Sequence, residues 1–251
     1  MRTRGKTIRL LAAGAMLLVG VFFWGSKPAQ AAEISVASAE KAITQPVQPN
    51  TVPIFQISNQ KRWILLKHPG LDAETQDGRT VERYVYLRRG KGQKKYRIIG
   101  QYILNKKEQA MGSKLEYAVR DVEAKNGCLY RYQVGILYTD GSEGLSKTVR
   151  LCRLTRPTYR NITSKHRGYL GLWWQPNAKA DGYCIYFGTS EAELFNEIHY
   201  KHIAGGKKTK VTLCNLKPGQ KYYVYVKSYK DVSGKRYYST RSKVASITIK
   251  K

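Results

Sequence analysis

The stretch Leu216–Val226, with the sequence LKPGQKYYVYV, constrains the fold of this chain more than any other. It places a leucine, a Pro-Gly turn and then Tyr222 directly before a run of alternating residues. Pro218 fixes its own φ, Gly219 tolerates a tight turn, and the Tyr222 hydroxyl is in reach of the backbone a few residues upstream. This combination predicts a corner at which one strand of a β-sandwich ends and the next crosses to the other sheet.

The rest of the chain repeats this pattern. From Ile54 onwards, short alternating segments are separated by glycine-containing turns, which predicts an all-β fold. Laying Asn126-Gly127 on Pro218-Gly219 also aligns the residues that follow: Tyr130, Tyr132 and Val134 with Tyr222, Val224 and Val226. The first copy is more divergent, because Ala124 stands where the second has Leu216. We therefore predict two sandwich domains, at residues 54–153 and 154–251.

Three groups of residues connect the second copy with a known family. They are Trp174, the segment Ala180-Asp181-Gly182-Tyr183 with Ile185 and Tyr186 after it, and Leu216, Pro218, Gly219 and Tyr222. Together they resemble a fibronectin type III domain of the kind common in exported Gram-positive bacterial proteins. The resemblance covers residues 154–250 and extends to 54–153. It implies two tandem immunoglobulin-like β-sandwiches in which Trp174, Leu216, Tyr222 and Tyr130 are structural core residues.

The N-terminus has the composition of a signal peptide, which we predict at residues 1–31. A basic segment precedes the apolar run Leu10–Trp24, and Ala29-Gln30-Ala31 supplies the small residues needed for cleavage before Ala32. An uncleaved anchor is the alternative, since the run approaches the lower length limit of a membrane span. Residues 32–53, rich in Ala, Ser, Gln and Pro, predict an extended linker. We expect a secreted or cell-surface protein.

The chain is strongly basic, with a formal net charge of +28. Loss of residues 1–31 would leave 40 basic and 17 acidic residues, a net charge of +23. Such an excess predicts association with polyanions that weakens as salt is added, although it is also compatible with simple solubility. The expected partner is an anionic cell-wall polymer, a polysaccharide or another protein. Nucleic acid is not expected for an exported chain, and membrane contact is expected only through an uncleaved signal segment.

The four cysteines fall two in each repeat. Cys128 and Cys152 lie twelve residues on either side of Asp140, so a hairpin centred on Asp140 would place them opposite each other and permit a disulfide. A one-residue change in register would put them on opposite faces and forbid it. Cys184 and Cys214 belong to strand ends that should be well separated, which favours buried free thiols over a bridge or a metal site.

Other polar clusters do not form an arrangement that would support catalysis. His199 and His202 are three residues apart and would point to opposite faces of a strand, with Lys201 between them, so we expect no metal site. A cluster of carboxylates, at Glu191, Glu193 and Glu197, is interpreted as a solvated acidic turn. The sequence has no nucleophile elbow, phosphate loop or zinc-protease motif, and we expect neither enzyme activity nor a cofactor.

The candidate binding surface is the face of the strand opposite Tyr222. It presents an aromatic and basic stripe formed by Tyr223, Tyr225, Lys227 and Tyr229, to which an adjoining strand would add Tyr186. Tyrosine rings stack on sugars or bases, and lysines pair with phosphate or carboxylate. The alternative explanation is that tyrosine is a good strand former. Trp173 faces away from Trp174, and is either a further contact point or buried against the neighbouring repeat.

These features predict a non-catalytic, exported binding and spacing module for anionic wall polymers or another protein. The alternative is an accessory carbohydrate-binding component that serves a separate secreted polysaccharide-degrading enzyme.

Overall fold

The strands of this protein form two sandwiches with the same strand order. The structure, a computed structural model, describes residues 55–251, so the predicted signal peptide and linker lie outside the described residues. Within the described part of the chain, no helix is long and apolar enough to cross a membrane.

The first sandwich contains eight antiparallel strands. They are β1 (Gln56–Asn59), β2 (Ile64–Pro69), β3 (Val81–Gly90), β4 (Arg97–Ile103), β5 (Glu116–Asp121), β6 (Leu129–Tyr138), β7 (Glu143–Leu145) and β8 (Val149–Cys152). One sheet has the order β1-β2-β5, and the other has β4-β3-β6 with both β7 and β8 paired to β6. A short helix, α1 (Lys106–Met111), connects β4 to β5 and begins with a capping box between Asn105 and Glu108.

The second sandwich repeats this arrangement. Its strands are β9 (Tyr159–Thr163), β10 (Leu170–Trp174), β11 (Gly182–Gly188), β12 (His199–Ala204), β13 (Lys210–Leu213), β14 (Lys221–Val232), β15 (Lys235–Tyr238) and β16 (Ala245–Thr248). One sheet has the order β9-β10-β13, and the other has β12-β11-β14 with β15 and β16 paired to β14. Helix α2 (Glu191–Phe195) connects β11 to β12. The predicted all-β fold with two tandem sandwiches is therefore confirmed.

Each sandwich has its own core, and the two cores differ at one central position. In β10 the inward residues are Leu170, Leu172 and Trp174, all buried, and the Trp174 ring lies 5.1 Å from the Tyr183 ring. In β2 the corresponding inward residues are Ile64, Leu66 and His68. His68 thus stands where the second sandwich has its tryptophan, and burial lowers the pKa of its imidazole. Its ring is surrounded by three tyrosines, Tyr84, Tyr86 and Tyr117.

The tyrosine corner occurs in both sandwiches. The Tyr222 hydroxyl accepts a hydrogen bond from the Lys217 N–H at 3.3 Å, and the Tyr130 hydroxyl accepts one from the Lys125 N–H at 3.0 Å. The turn glycines have the same left-handed conformation, with φ of 79° at Gly127 and 78° at Gly219. Ala124 and Leu216, which differ in size, are both buried beside these corners. The two corners therefore have the same backbone geometry even where the residues of the two repeats differ.

A hydrogen-bonded junction connects the two sandwiches. Asn59, which is 4% exposed, donates to the carbonyl of Cys152 at 2.8 Å and to that of Tyr238 at 3.0 Å. Its side-chain oxygen accepts from the Leu154 N–H at 3.1 Å. On the other side of the junction, Asn126 donates to Asn177 at 2.9 Å. The bond to Cys152 lies within the first sandwich, but the other three join different sandwiches or reach the segment between them, so the domains are not connected by a free linker.

The predicted disulfide between Cys128 and Cys152 is wrong. The hairpin has the expected register near its turn, where Gly135 opposes Leu145. After the irregular residues 146–148 the register moves by one residue, so that Cys152 opposes Leu129. Both cysteines are free thiols, with Cys128 exposed and Cys152 buried.

The second pair of cysteines also differs from expectation in one respect. Cys184 and Cys214 are free thiols, but only Cys184 is buried, and Cys214 is exposed. Cys214 directly follows β13, whose last residue, Leu213, is buried; because successive side chains point to opposite faces, Cys214 faces outward.

The two tyrosine corners should contribute different amounts to the free energy of unfolding. We expect Tyr130→Phe to lower the free energy of unfolding by about 1 kcal/mol, because the Lys125 N–H loses its acceptor in a largely buried setting. Tyr222→Phe should cost less, since its hydrogen bond is longer and more exposed. Urea unfolding of both variants measures this, with Tyr200→Phe as an exposed control. A larger loss for Tyr222→Phe than for Tyr130→Phe would contradict the assignment.

Thiol titration should separate the cysteines into two classes. Without reductant, a thiol reagent should modify Cys128 and Cys214 rapidly in the native protein and leave Cys152 and Cys184 protected. Burial raises the pKa of Cys152 to about 11, which further slows its reaction. In denaturant all four cysteines should react. If two of them stay unreactive in denaturant, a disulfide is present and the register described above is incorrect.

Candidate functional site

The tyrosine stripe predicted as an exposed binding surface is largely covered. Tyr186, Tyr225 and Tyr229 are only 6%, 2% and 5% exposed. They do lie on the outer face of the β11–β14 sheet, as the alternation predicts, but Leu194 of α2 and Val244 pack over part of that face. The prediction of an open stacking surface is therefore wrong for these three tyrosines. Alternation within a strand identifies its two faces, but it does not show that a distant segment folds over one of them.

Lys227 lies at the centre of the covered stripe. Its ammonium group is 5.0 Å from the ring centroid of Tyr186, 5.6 Å from that of Tyr225 and 6.0 Å from that of Tyr238. It also forms an ion pair with Glu197, whose carboxylate accepts a second hydrogen bond from the Tyr225 hydroxyl at 2.7 Å. A cation held by three aromatic rings and a carboxylate has a fixed position. Lys227 is thus mainly a structural residue.

Glu197 does not belong to a solvated turn, as the sequence suggested. It follows α2 in the left-handed conformation, with φ of 57°, and its side chain turns toward Lys227. Burial raises the pKa of its carboxyl group, but the hydrogen bonds from Lys227 and Tyr225 outweigh this effect, and the net pKa is lowered. The other two glutamates are part of α2: Glu191 is exposed, and Glu193 accepts hydrogen bonds from Thr189.

A basic cleft opens beside Glu197, at the junction of the two sandwiches. Its volume is about 860 Å³, and its walls include Lys61 from the first sandwich, Arg156 from the connecting segment, and Arg241 and Lys243 from the loop before β16. We call these four residues the cleft cations. Within residues 55–251 none of the four forms an ion pair with a carboxylate. Among the described residues that line the cleft, the one carboxylate is that of Glu197, which forms an ion pair with Lys227.

The arrangement of the cleft concentrates positive potential. Arg241 is held over the ring of Phe195, with 4.6 Å between its guanidinium carbon and the ring centroid. A concave surface lined by one sign of charge focuses field lines and raises the local concentration of oppositely charged ligands. The chemistry that this cleft offers is therefore the binding of phosphate or carboxylate groups.

The sequence did not single out any cleft cation. Lys61, Arg156 and the pair Arg241 and Lys243 come from three separate segments, each an ordinary basic residue in a chain with 45 lysines and arginines. Only the closure of the junction by Asn59 brings Lys61 to the same cleft as Arg241. No local pattern could have identified the site. The sequence signal that remains is the overall charge.

The other predicted positions lie outside the cleft. His199 stacks on Phe187, and His202 packs edge-on against Tyr229, with both histidines exposed. Among the described residues no group of three or more His, Cys, Asp or Glu side chains could hold a metal ion. Trp173 is 36% exposed and lies on the outer face of the β9-β10-β13 sheet, away from the first sandwich.

Comparison with known proteins identifies part of the chain. Residues 156–244 match the family model of the fibronectin type III domain. No curated protein matches the chain. Among solved structures, the crystal structure of the chicken CNTN1 FN1-FN3 domains is 18% identical, covering 83% of this chain and 68% of that chain, with a TM-score of 0.36. This structural likeness adds no functional argument to the family match.

The Glu197–Lys227 pair should give the protein an acid-sensitive component of stability. Because the folded pKa of Glu197 is lowered, its contribution is present above the unfolded value, near 4.5, and is lost as the pH falls through the folded value. We expect Glu197→Gln to be less stable than the wild type at pH 7, with a difference that shrinks below about pH 4.5. Thermal unfolding from pH 3 to 7 measures this, with the exposed Glu191→Gln as control. A difference that is constant across this range would contradict the lowered pKa.

Proposed function

Residues 156–244 form a fibronectin type III domain, a fold that typically serves for binding or spacing, and from this premise we propose that the protein is an exported, non-catalytic module that binds an anionic wall polymer in its junction cleft. The observation that carries the proposal is the set of four cleft cations without carboxylate partners among residues 55–251. An anionic polymer would supply the missing negative charge.

The charge of the cleft favours a polymer over a compact ligand. The cleft cations come from both sandwiches and from the segment between them, and the cleft is open to solvent. Exposed ion pairs are individually worth only about 0.2–1 kcal/mol, so useful affinity requires several contacts along a repeating chain of charges. The net charge, +28 for the whole sequence and +23 without residues 1–31, adds long-range attraction that would steer such a polymer towards the protein.

The spacing role rests on the junction. Asn59 and Asn177 are both buried; Asn59 donates to the Tyr238 carbonyl of the second sandwich, and Asn177 donates to the Thr155 carbonyl of the connecting segment. Separating the domains would exchange these hydrogen bonds for bonds to water, at a net cost of about 0.5–1.5 kcal/mol for each bond. A tandem pair held in this way presents its cleft in one geometry and keeps its two ends at a set distance.

The alternative function, an accessory carbohydrate-binding component, has lost its original basis. It depended on the tyrosine stripe as a sugar-stacking surface, and Tyr186, Tyr225 and Tyr229 are buried. The covered stripe explains the tyrosines as packing residues.

The test compares two variants that lose the same number of positive charges, one in the cleft and one elsewhere on the surface. The cleft variant carries Lys61→Gln, Arg241→Gln and Lys243→Gln, all at exposed positions. The matched control carries Lys91→Gln, Lys94→Gln and Lys95→Gln, also exposed, in the turn between β3 and β4. Both proteins lose three positive charges, so their net charges are equal. Lys227 is left intact because it stabilises the fold.

Binding is measured by co-sedimentation of the purified protein with Gram-positive wall sacculi, before and after removal of their anionic polymers. We expect the cleft variant to bind untreated sacculi roughly tenfold more weakly, from three contacts of about 0.5 kcal/mol each, and the control to change less than about threefold. Wild-type binding should fall with salt and on stripping. Equal losses in the two variants would show that net charge alone acts. Absence of wild-type binding would refute a wall polymer as the ligand.

A further inference from the structure

The outer face of the β9-β10-β13 sheet contains a second concave surface, unrelated to the cleft. Strand register places Asn161 and Lys210 on either side of Trp173, and Thr163 and Thr212 on either side of Gly171. These residues form a groove of about 330 Å³, which we call the Trp173 groove. It lies on the opposite sheet of the second sandwich from β14, whose residues contribute to the cleft.

Gly171 creates the groove. In a strand, alternate residues face the same side, so Gly171 and Trp173 are successive outward positions of β10. A side chain at 171 would occupy the space beside the indole, and a Cβ there would lie 3.1 Å from the Thr163 hydroxyl. The absence of a side chain leaves one edge of the Trp173 indole open, and the neighbouring threonine hydroxyls border the space.

The chemistry of the Trp173 groove combines three elements. The indole offers an apolar surface and is 36% exposed. Two cations lie over its ring, with the Lys210 ammonium at 4.8 Å and the Arg160 guanidinium carbon at 5.3 Å from the ring centroid. An amide and two hydroxyls, from Asn161, Thr163 and Thr212, supply donors and acceptors. None of the described residues that line this groove is a carboxylate.

We propose that the Trp173 groove binds a sugar ring that carries a carboxylate, as in an acidic polysaccharide. The C–H face of the sugar would lie against the open part of the indole, since apolar C–H surface is favoured against an aromatic ring. The carboxylate would pair with Lys210 or Arg160, and the ring hydroxyls would bond with the threonine and asparagine side chains. The partly exposed indole, with two cations over its ring, matches such a ligand in both its apolar and its anionic part, whereas a simple polyanion would not need the indole.

Three probes separate the parts of this proposal. Oligogalacturonate has both the sugar ring and the carboxylate, cello-oligosaccharide has the ring alone, and polyphosphate has charge without a sugar. We expect the wild-type protein to bind oligogalacturonate more tightly than cello-oligosaccharide in calorimetric titrations. Trp173→Ala should weaken oligogalacturonate binding roughly tenfold and leave polyphosphate binding unchanged. Lys210→Met should weaken oligogalacturonate binding and leave the weaker cello-oligosaccharide binding unchanged.

Two further variants guard against an indirect effect on folding. Gly171→Gln fills the groove without removing any charge or ring, and it should weaken oligogalacturonate binding as much as Trp173→Ala does, while the unfolding temperature stays close to that of the wild type. Trp63→Ala removes a half-buried tryptophan that also packs beside an arginine, Arg120 at 5.0 Å, but lies in the first sandwich. It should bind oligogalacturonate like the wild type.

The proposal has clear points of failure. It is overturned if wild-type protein does not bind oligogalacturonate, if Trp173→Ala and Gly171→Gln bind it normally, or if Trp173→Ala weakens polyphosphate equally. Because the cleft cations are intact in all these variants, failure here leaves the proposed cleft function standing. Conversely, the cleft variant described above should retain its oligogalacturonate binding at the Trp173 groove.

Discussion

The hydrogen bonds of Asn59 are the constraint on which the cleft depends. One amide satisfies two carbonyls, of Cys152 and Tyr238, and one N–H, of Leu154. Beside it the buried guanidinium of Arg153 donates to the carbonyls of Leu154 and Lys61. Loss of a bond from a buried polar network leaves its partner group unpaired, at a cost of about 1–3 kcal/mol, so these hydrogen bonds favour the closed junction. The position of Lys61 opposite Arg241 is a consequence of that closure.

The two sandwiches have the same strand arrangement but different core residues. The corner tyrosines Tyr130 and Tyr222 make the same backbone bond in each, which fixes the crossing between sheets. At the centre, a tryptophan in one and a histidine surrounded by tyrosines in the other fill equivalent space. Buried His68 has a polar partner, since its Nε2 lies 3.0 Å from the Tyr86 hydroxyl. The polar ring of His68 is tolerated in the core because both of its nitrogens have partners, Nε2 at Tyr86 and Nδ1 at the Pro69 carbonyl.

Features with a local physical cause could be predicted from the sequence. The all-β fold, the tandem order and the two faces of β14 follow from alternation and from turn residues such as Pro218 and Gly219. The prediction of a Cys128–Cys152 disulfide was wrong because residues 146–148 add one residue to one side of the hairpin, although its turn was placed correctly. The alternation of the sequence does not reveal such an extra residue. A period of two makes every such slip reverse the face of a side chain.

The remaining differences have non-local causes. Whether Tyr225 is exposed depends on Leu194 and Val244, which come from other parts of the domain, and whether Lys61 belongs to a site depends on a contact between domains. The packing of the second sandwich also separates the two candidate sites. The cleft borders the outer face of one sheet of the second sandwich, and Trp173 lies on the outer face of the other, so the packed core stands between them. A straight polymer could not occupy both. Binding at the two sites would therefore be independent for short ligands, and would gain avidity only from a chain long and flexible enough to pass around the sandwich.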